Sequence, residues 1–213
     1  MFWRVQVLPI VIVLSVLSAP AGGSQAASSA AVEKPAPAFM RTYGRAEAPS
    51  GYRSYCERRS TNCVGTEEHG RMALTPARAR ELAEVNALVN QTVIPQSDRD
   101  TYGVEEYWSL PSRYGDCEDY ALLKQKLLAD RGWPEGALLL TVVRDESGEG
   151  HALLTVRTTG GDLLLDNRIN DIRAWSKSPY TFVKRQSFLD PQLWMSLEGG
   201  PKAAATVPTA TKN

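Results

Sequence analysis

The sequence lacks an excess of either charge. Its 213 residues include 24 Lys and Arg and 24 Asp and Glu, so the formal net charge is zero. Because nucleic-acid binding depends on a strong basic field, this balance argues against a nucleic-acid partner. Internal repeats are also missing, and the length favours a single domain with flanking tails.

Long hydrophobic runs are scarce, and the clearest one lies at the N-terminus. It follows Arg4 and extends over residues 5–17, with interruptions at Gln6 and Pro9. The run is short for a membrane-spanning helix, and small residues follow it. This pattern predicts a secretory signal peptide over residues 1–21, with an uncleaved anchor as the alternative. No cysteine for lipid attachment follows the run, so we expect an exported protein without a membrane span after cleavage.

The two ends of the remaining chain lack the pattern of folded elements. Residues 22–38 are rich in small residues and proline, which predicts a flexible leader. Residues 199–213 have no apolar periodicity and are predicted to be a disordered tail. The folded domain is therefore expected over residues 39–198.

Cysteine is rare, and its number is odd. Of the three cysteines, Cys56 and Cys63 are close enough in sequence to close a short loop. Since exported proteins form disulfides, we predict a bond between them, with two free thiols as the alternative. Cys117 is then left without a partner.

Helical signals precede and surround Cys117. Thr75 and Pro76 are typical of a helix start, and apolar residues recur at helical spacing after them. Asp116 is a good N-cap for a second helix, with Asp119 three residues on as its capping-box partner. Cys117 is therefore expected in the first turn of a helix that is buried on one side.

Residues 95–113, between these helices, are predicted to be a polar loop packed by Tyr107 and Trp108. They include "DRDTYG", which faintly resembles the start of a calcium-binding EF loop. However, Tyr102 stands at a ligand position, and Ser109 stands where the terminal glutamate belongs. We therefore reject an EF-type site in this segment.

Strand-like segments occupy the second half of the domain. They are "ALLLTVVRD", then "HALLTVRTTGGDLLLDNR" with a hairpin turn at Gly160–Gly161, and finally "YTFVKRQSF". Helices followed by antiparallel strands predict an α+β fold. Because side chains alternate along a strand, an even-length hairpin loop places His151 and Asp166 on the same sheet face.

These residues suggest covalent catalysis. A cysteine nucleophile needs a base, and the base needs an orienting group. The sequence has two histidines, and His69 lies in a polar segment with nothing to position it. Taken singly, Cys117, His151 and Asp166 each have a common structural explanation. Their combination favours a catalytic triad.

The stretches that contain these residues resemble one known family. "GDCEDYALLK", "GHALLTV" and "LLLDN" are similar to the bacterial transglutaminase-like cysteine peptidases, which include the LapG-type periplasmic proteases that release large biofilm adhesins. The resemblance implies a papain-like, transglutaminase-like fold. It also implies that Cys117 is the nucleophile, His151 the general base and then acid, and Asp166 the residue that orients the imidazole.

The resemblance further implies calcium dependence, with the acidic residues around the nucleophile as ligands. Asp116, Glu118 and Asp119 offer the hard oxygen ligands that Ca²⁺ prefers. Three carboxylates beside a thiol oppose thiolate formation, and a bound cation would remove that opposition. The alternative is that the acids only cap the helix and complement its dipole.

The function implied is that of a periplasmic, calcium-dependent cysteine endopeptidase that cleaves a large surface adhesin. An inner-membrane c-di-GMP receptor that sequesters the protease is a further implied partner. Three alternatives stay open: transglutaminase-type amide transfer, cell-wall peptide hydrolysis, and a non-catalytic, calcium-stabilised binding module.

Overall fold

The structure is a computed structural model that describes residues 38–65, 67 and 70–198. The predicted signal peptide, nearly all of the predicted leader and the predicted tail lie outside the described residues, as does His69. In this part of the chain, the helices are too short or too polar to cross a membrane.

Four α-helices and nine strands make up the described part of the chain. The helices are α1 (Ser50–Arg58), α2 (Pro76–Thr92), α3 (Asp98–Tyr102) and α4 (Cys117–Ala129). The strands are β1 (Arg45–Ala46), β2 (Ile94–Pro95), β3 (Tyr114–Gly115), β4 (Leu138–Arg144), β5 (Gly150–Thr158), β6 (Gly161–Leu165), β7 (Arg173–Ala174), β8 (Thr181–Gln186) and β9 (Trp194–Ser196).

The main sheet has seven strands in the order β1-β9-β8-β4-β5-β6-β7, and every neighbouring pair is antiparallel. Helix α4 packs on the sheet chiefly against β5 and β4, and α2 packs against α4. The predicted α+β fold, with the cysteine-bearing helix on an antiparallel sheet, is confirmed.

Helix α2 begins where its sequence predicts. The Thr75 hydroxyl accepts a hydrogen bond from the Arg78 amide at 3.2 Å, and proline occupies the first turn. Leu82, Val85 and Val89 are buried along one face. The cap and the helical spacing of apolar residues were therefore sufficient to predict this helix.

Helix α4 differs from the one-sided burial that its sequence predicts. Its first two turns are buried almost all round and include charged side chains, whereas Leu123 and Leu127 are only partly buried. Glu118, Asp119 and Lys124 are each at most 1% exposed. The reason is that α2 covers the helix on one side and the sheet covers it on the other.

The predicted hairpin is confirmed. Thr158 pairs with Gly161 and Leu154 pairs with Leu165, so a two-residue turn joins β5 to β6. Gly161 has a φ of +142°, and a Cβ there would lie 2.9 Å from the Ala38 carbonyl oxygen. Glycine is therefore required at this end of the turn.

The predicted disulfide between Cys56 and Cys63 is present, with a Cα–Cα distance of 5.6 Å. It joins the last turns of α1 to the short 3₁₀ helix Ser60–Cys63. Cys117 is buried and takes no part in a disulfide.

The segment predicted to be a polar loop contains a helix, so that prediction is corrected. Helix α3 forms because the Ser97 hydroxyl accepts the Asp100 amide at 3.2 Å, and Gly103 ends it in the left-handed conformation. The backbone over the "DRDTY" stretch is therefore helical. Trp108 is fully buried, as expected.

Candidate active site and acidic group

The fold places Cys117 at the first residue of α4, against the start of β5. Its Sγ accepts a hydrogen bond from the Ala152 amide at 3.3 Å and donates one to Glu118 Oε2 at 3.1 Å. The side chain is 1% exposed. Since Ala152 follows His151, the thiol lies beside the strand that carries the histidine.

His151 and Asp166 meet as the hairpin register predicts. His151 Nε2 lies 2.9 Å from Asp166 Oδ1, and both side chains are buried. An ionised carboxylate only accepts hydrogen bonds, so Nε2 carries the proton in this pair. No described residue makes a hydrogen bond to Nδ1, which leaves that nitrogen to act as a base.

Asp166 is surrounded by donors that the sequence did not reveal. Besides His151, the Arg168 amide donates to Oδ1 at 3.0 Å, and the Tyr180 hydroxyl donates to Oδ2 at 2.5 Å. Burial alone would raise the pKa of Asp166, but these hydrogen bonds and the His151 charge lower it to about 2. The Arg168 contact is an Asx turn, which the run Asp-Asn-Arg indicates. For Tyr180 the sequence contains no comparable signal.

Three carboxylates converge at the N-terminus of α4. Asp98, Asp116 and Glu118, here called the acidic group, each offer an oxygen, and these oxygens all lie within 4.8 Å of one another. All three side chains are buried. Asp98 was missed because it belongs to the segment in which an EF-type loop was rejected.

Two short parallel strands bring Asp98 to this position. The Ile94 amide donates to the Arg113 carbonyl at 2.8 Å, and the Gln96 amide donates to the Gly115 carbonyl at 3.1 Å. This pairing of β2 with β3 closes the segment at its base, directly before Asp116. Asp98, the first residue of α3, therefore lies close to the start of α4.

Asp116 is the N-cap residue of α4, but its side chain makes no capping hydrogen bond. Among the described residues, neither of its carboxylate oxygens has a hydrogen-bond partner. The alternative that this carboxylate only caps the helix is therefore corrected, because its side chain accepts no hydrogen bond from an amide of α4.

Asp119 lies beside the acidic group and not within it. Its Oδ1 accepts the Ser109 amide at 2.7 Å, which ties the loop before β3 to α4. A Cβ at Gly115 would lie 2.8 Å from Asp119 Oδ2, so glycine is required for this close approach. Burial, followed by the charge of Asp116, raises the pKa of Asp119 to about 8.

The acidic group is electrostatically unbalanced. Burial and then a neighbouring carboxylate raise the pKa of Asp116 to about 7 and the pKa of Glu118 well above its usual range. Burial raises the pKa of Asp98 to about 6. Within the described ranges, no Lys, Arg or His forms an ion pair with any of the three.

These buried oxygens fit a hard divalent cation. In the part of the chain that the structure describes, both oxygens of Asp116 and Oε1 of Glu118 lack a hydrogen-bond donor, and an unpaired buried charge is costly. Carboxylate oxygens are the ligands that Ca²⁺ prefers, and Ca²⁺ tolerates irregular geometry. The donor set is therefore suited to calcium.

Comparison with known proteins gives a family match and similar solved structures. Residues 42–202 match the model of the family described as bacterial transglutaminase-like cysteine proteinase. Calcium-bound LapG of Legionella pneumophila is 24% identical, with 62% of this chain and 76% of that chain covered and a TM-score of 0.49. EGTA-treated LapG of the same organism is 25% identical, with 63% and 77% covered and a TM-score of 0.47. Among curated proteins, the search finds no match.

Proposed function

Because the chain belongs to the bacterial transglutaminase-like cysteine proteinase family and is a cysteine peptidase, we propose that Cys117, His151 and Asp166 are its catalytic triad. The observation that carries this proposal is the 2.9 Å contact of His151 Nε2 with Asp166. The Cys117 sulfur lies next to this pair, because it accepts a hydrogen bond from the amide of Ala152, the residue after His151. Cys117 is also the one cysteine outside the disulfide.

The geometry supports acyl transfer to water. His151 Nδ1 takes the thiol proton, and the Cys117 sulfur attacks the carbonyl carbon of the scissile peptide. The protonated imidazole then gives its proton to the leaving amine, and a thioester remains on the sulfur. Water, activated by Nδ1, hydrolyses the thioester and restores the thiol. Asp166 holds the ring and stabilises the imidazolium throughout.

The oxyanion of the tetrahedral intermediate requires a donor close to the sulfur. The Cys117 amide lies at the N-terminus of α4, where backbone N–H groups are free of helical partners and the helix dipole is positive. We assign this amide as one oxyanion donor.

Calcium is the second part of the proposal. Asp98, Asp116 and Glu118 would hold the ion, with Asp119, which the sequence predicts as a further ligand, next to them. A bound calcium ion supplies positive charge that offsets the buried carboxylates. With their charge offset, the carboxylates would oppose ionisation of the Cys117 thiol less strongly. The ion would also hold the start of α4 in place.

The substrate follows in part from the family, since a peptidase acts on a protein. We propose, from the resemblance of the motifs, that the substrate of this peptidase is a large surface adhesin. The same resemblance suggests a periplasmic location and an inner-membrane c-di-GMP receptor as regulator. Amide transfer and cell-wall peptide hydrolysis use the same triad and remain the alternatives.

A peptide-library digest tests the proposed triad. The library is incubated with the wild-type protein and with Cys117→Ala, and new N-termini are identified by mass spectrometry. We expect cleavage that requires Cys117, falls in EGTA and returns when calcium is added. Asp130→Asn, which removes an exposed carboxylate at the far end of α4, is the matched control and should cleave normally.

Two outcomes would contradict the proposal. Equal cleavage by Cys117→Ala would exclude Cys117 as the nucleophile. Products that form only when an amine acceptor is added would identify amide transfer as the reaction.

A further inference from the structure

Tyr180 contacts both members of the His151–Asp166 pair. Its hydroxyl donates to Asp166 Oδ2 at 2.5 Å, and its ring centroid lies 5.5 Å from that of His151 at an interplanar angle of 52°. Tyr180 directly precedes β8, so it lies on a different segment of the chain from the hairpin that carries the pair. The charged acceptor and short distance indicate a strong hydrogen bond.

The two oxygens of Asp166 are held by different donors. Oδ1 accepts from His151 and from the Arg168 amide, whereas Tyr180 is the donor that reaches Oδ2 among the described residues. The terminal torsion of a carboxylate is soft, so one held oxygen does not define its plane. With donors on both oxygens, the plane of the carboxylate is defined, and it directs the lone pair of Oδ1 at His151 Nε2.

We propose that Tyr180 is a positioning residue that orients Asp166 and, through it, His151 for proton transfer. The inference rests on the triad proposed above. It assigns Tyr180 no contact with the reacting atoms, since its hydroxyl is already used by Asp166.

The surroundings of Asp166 distinguish Tyr180 from the other groups that act on this carboxylate. Lys124 on α4 is buried, has no hydrogen-bond partner in the described residues, and influences Asp166 only through its charge. The Arg168 side chain is directed to Asp145, which it contacts at 2.9 Å. These charges favour the ionised carboxylate, but neither fixes its rotation.

Asp166 and Tyr180 both line an open pocket at the surface. If the hydroxyl were removed, a water molecule from this pocket would replace it as donor to Oδ2. A water molecule in an open pocket is less fixed than a phenol whose backbone directly precedes a strand. The expected loss is therefore moderate and not complete.

Tyr180→Phe tests the inference through two measurements. First, exchange of the His151 Nε2 proton with solvent is followed by NMR on histidine-labelled protein. The sequence has two histidines, so His69→Gln assigns the signals. We expect exchange to be faster by about tenfold or more. Second, kcat for a peptide identified in the library digest should fall about tenfold, with KM within about twofold, because a hydrogen bond to a charged group is lost.

The matched control is Tyr52→Phe. Tyr52 also loses a buried hydroxyl contact, with Gln186 at 2.8 Å, but it packs between Trp108 and Trp194, away from the pair. We expect this variant to keep the proton exchange rate and kcat of the wild type. Phenylalanine fills the same space at the partly exposed position 180, so Tyr180→Phe keeps the fold, which a thermal melt checks.

Asp166→Asn separates the failure of this inference from the failure of the triad. If Asp166→Asn loses activity but Tyr180→Phe behaves as Tyr52→Phe does, the role of Tyr180 is overturned and the triad stands. If Asp166→Asn keeps full activity, the triad itself is wrong. A fall in both variants, larger in Asp166→Asn, supports the inference.

Discussion

Two buried carboxylates, one beside His151 and the other directly before Cys117, have pKa values shifted in opposite directions. The pKa of Asp166 is lowered to about 2, whereas the pKa of Asp116 is raised to about 7. Asp166 is 1% exposed and Asp116 is 6% exposed, so burial does not distinguish them. The difference lies in the groups that face each carboxylate.

Asp166 is satisfied by the chain itself, with hydrogen bonds from His151, Arg168 and Tyr180. Asp116 has no hydrogen-bond donor among the described residues, and it lies close to two further carboxylates. Burial destabilises a charge unless donors or opposite charges compensate for it. The His151–Asp166 pair is therefore complete without a ligand, whereas the acidic group would be completed by the calcium ion proposed above.

The largest expected effect comes from disrupting the His151–Asp166 pair. Asp166→Asn would keep the shape but remove the charge and allow the wrong tautomer of His151. We expect kcat/KM for a cleaved peptide to fall by about 10⁴-fold, as for other triads of this kind. Asp130→Asn serves as the control, and a loss below about tenfold would show that Asp166 does not orient the base.

The second largest effect is expected from calcium binding to the acidic group. Calcium at about 100 times its Kd should stabilise the fold by about 2.7 kcal/mol, since the ion binds the folded protein only. For a domain of this size the thermal midpoint should rise by roughly 5–10 °C relative to EGTA, which calorimetry measures. Asp98→Asn, which removes one carboxylate of the acidic group, should abolish most of the rise. An unchanged rise in that variant would exclude Asp98 as a ligand.

Acid should remove the contribution of ionised Asp166 to the stability of the fold. The pKa of Asp166 lies below its ordinary value of 3.8, so its ionised form stabilises the fold above about pH 4. As the pH falls through about 2, the native carboxylate gains a proton and this contribution, about 2 kcal/mol, is lost.

Denaturant titrations in EGTA check this dependence on pH. The free energy of unfolding of the wild type should exceed that of Asp166→Asn at pH 5, and the two should converge near pH 2. A difference that stays constant between these pH values would show that Asp166 is not ionised in the folded protein.

The smallest expected effect separates Asp119 from the acidic group. Glu118 belongs to the group, whereas Asp119 already accepts the Ser109 amide. We expect Glu118→Gln to weaken calcium binding by at least about tenfold more than Asp119→Asn, as measured by calorimetric titration. Equal losses would place Asp119 among the ligands.

Sequence patterns identified all three residues of the proposed triad but only two of the three carboxylates in the acidic group. Asp116 and Glu118 flank the cysteine and were identified from their positions. Asp98 and Tyr180 were missed, although each contacts or adjoins a predicted residue. The pairing of β2 with β3 brings Asp98 to the site, and the segment directly before β8 brings Tyr180. Neither arrangement has a local signal in the sequence.

What the sequence determined by itself depends on short-range rules. The Thr75 cap, the disulfide between Cys56 and Cys63, and the shared face of His151 and Asp166 follow from spacing, because caps, short loops and strand alternation act within a few residues. The tertiary structure decided which distant groups surround each buried carboxylate. Those neighbours set the pKa values, because the environment of a buried charge consists of whatever the whole fold packs against it.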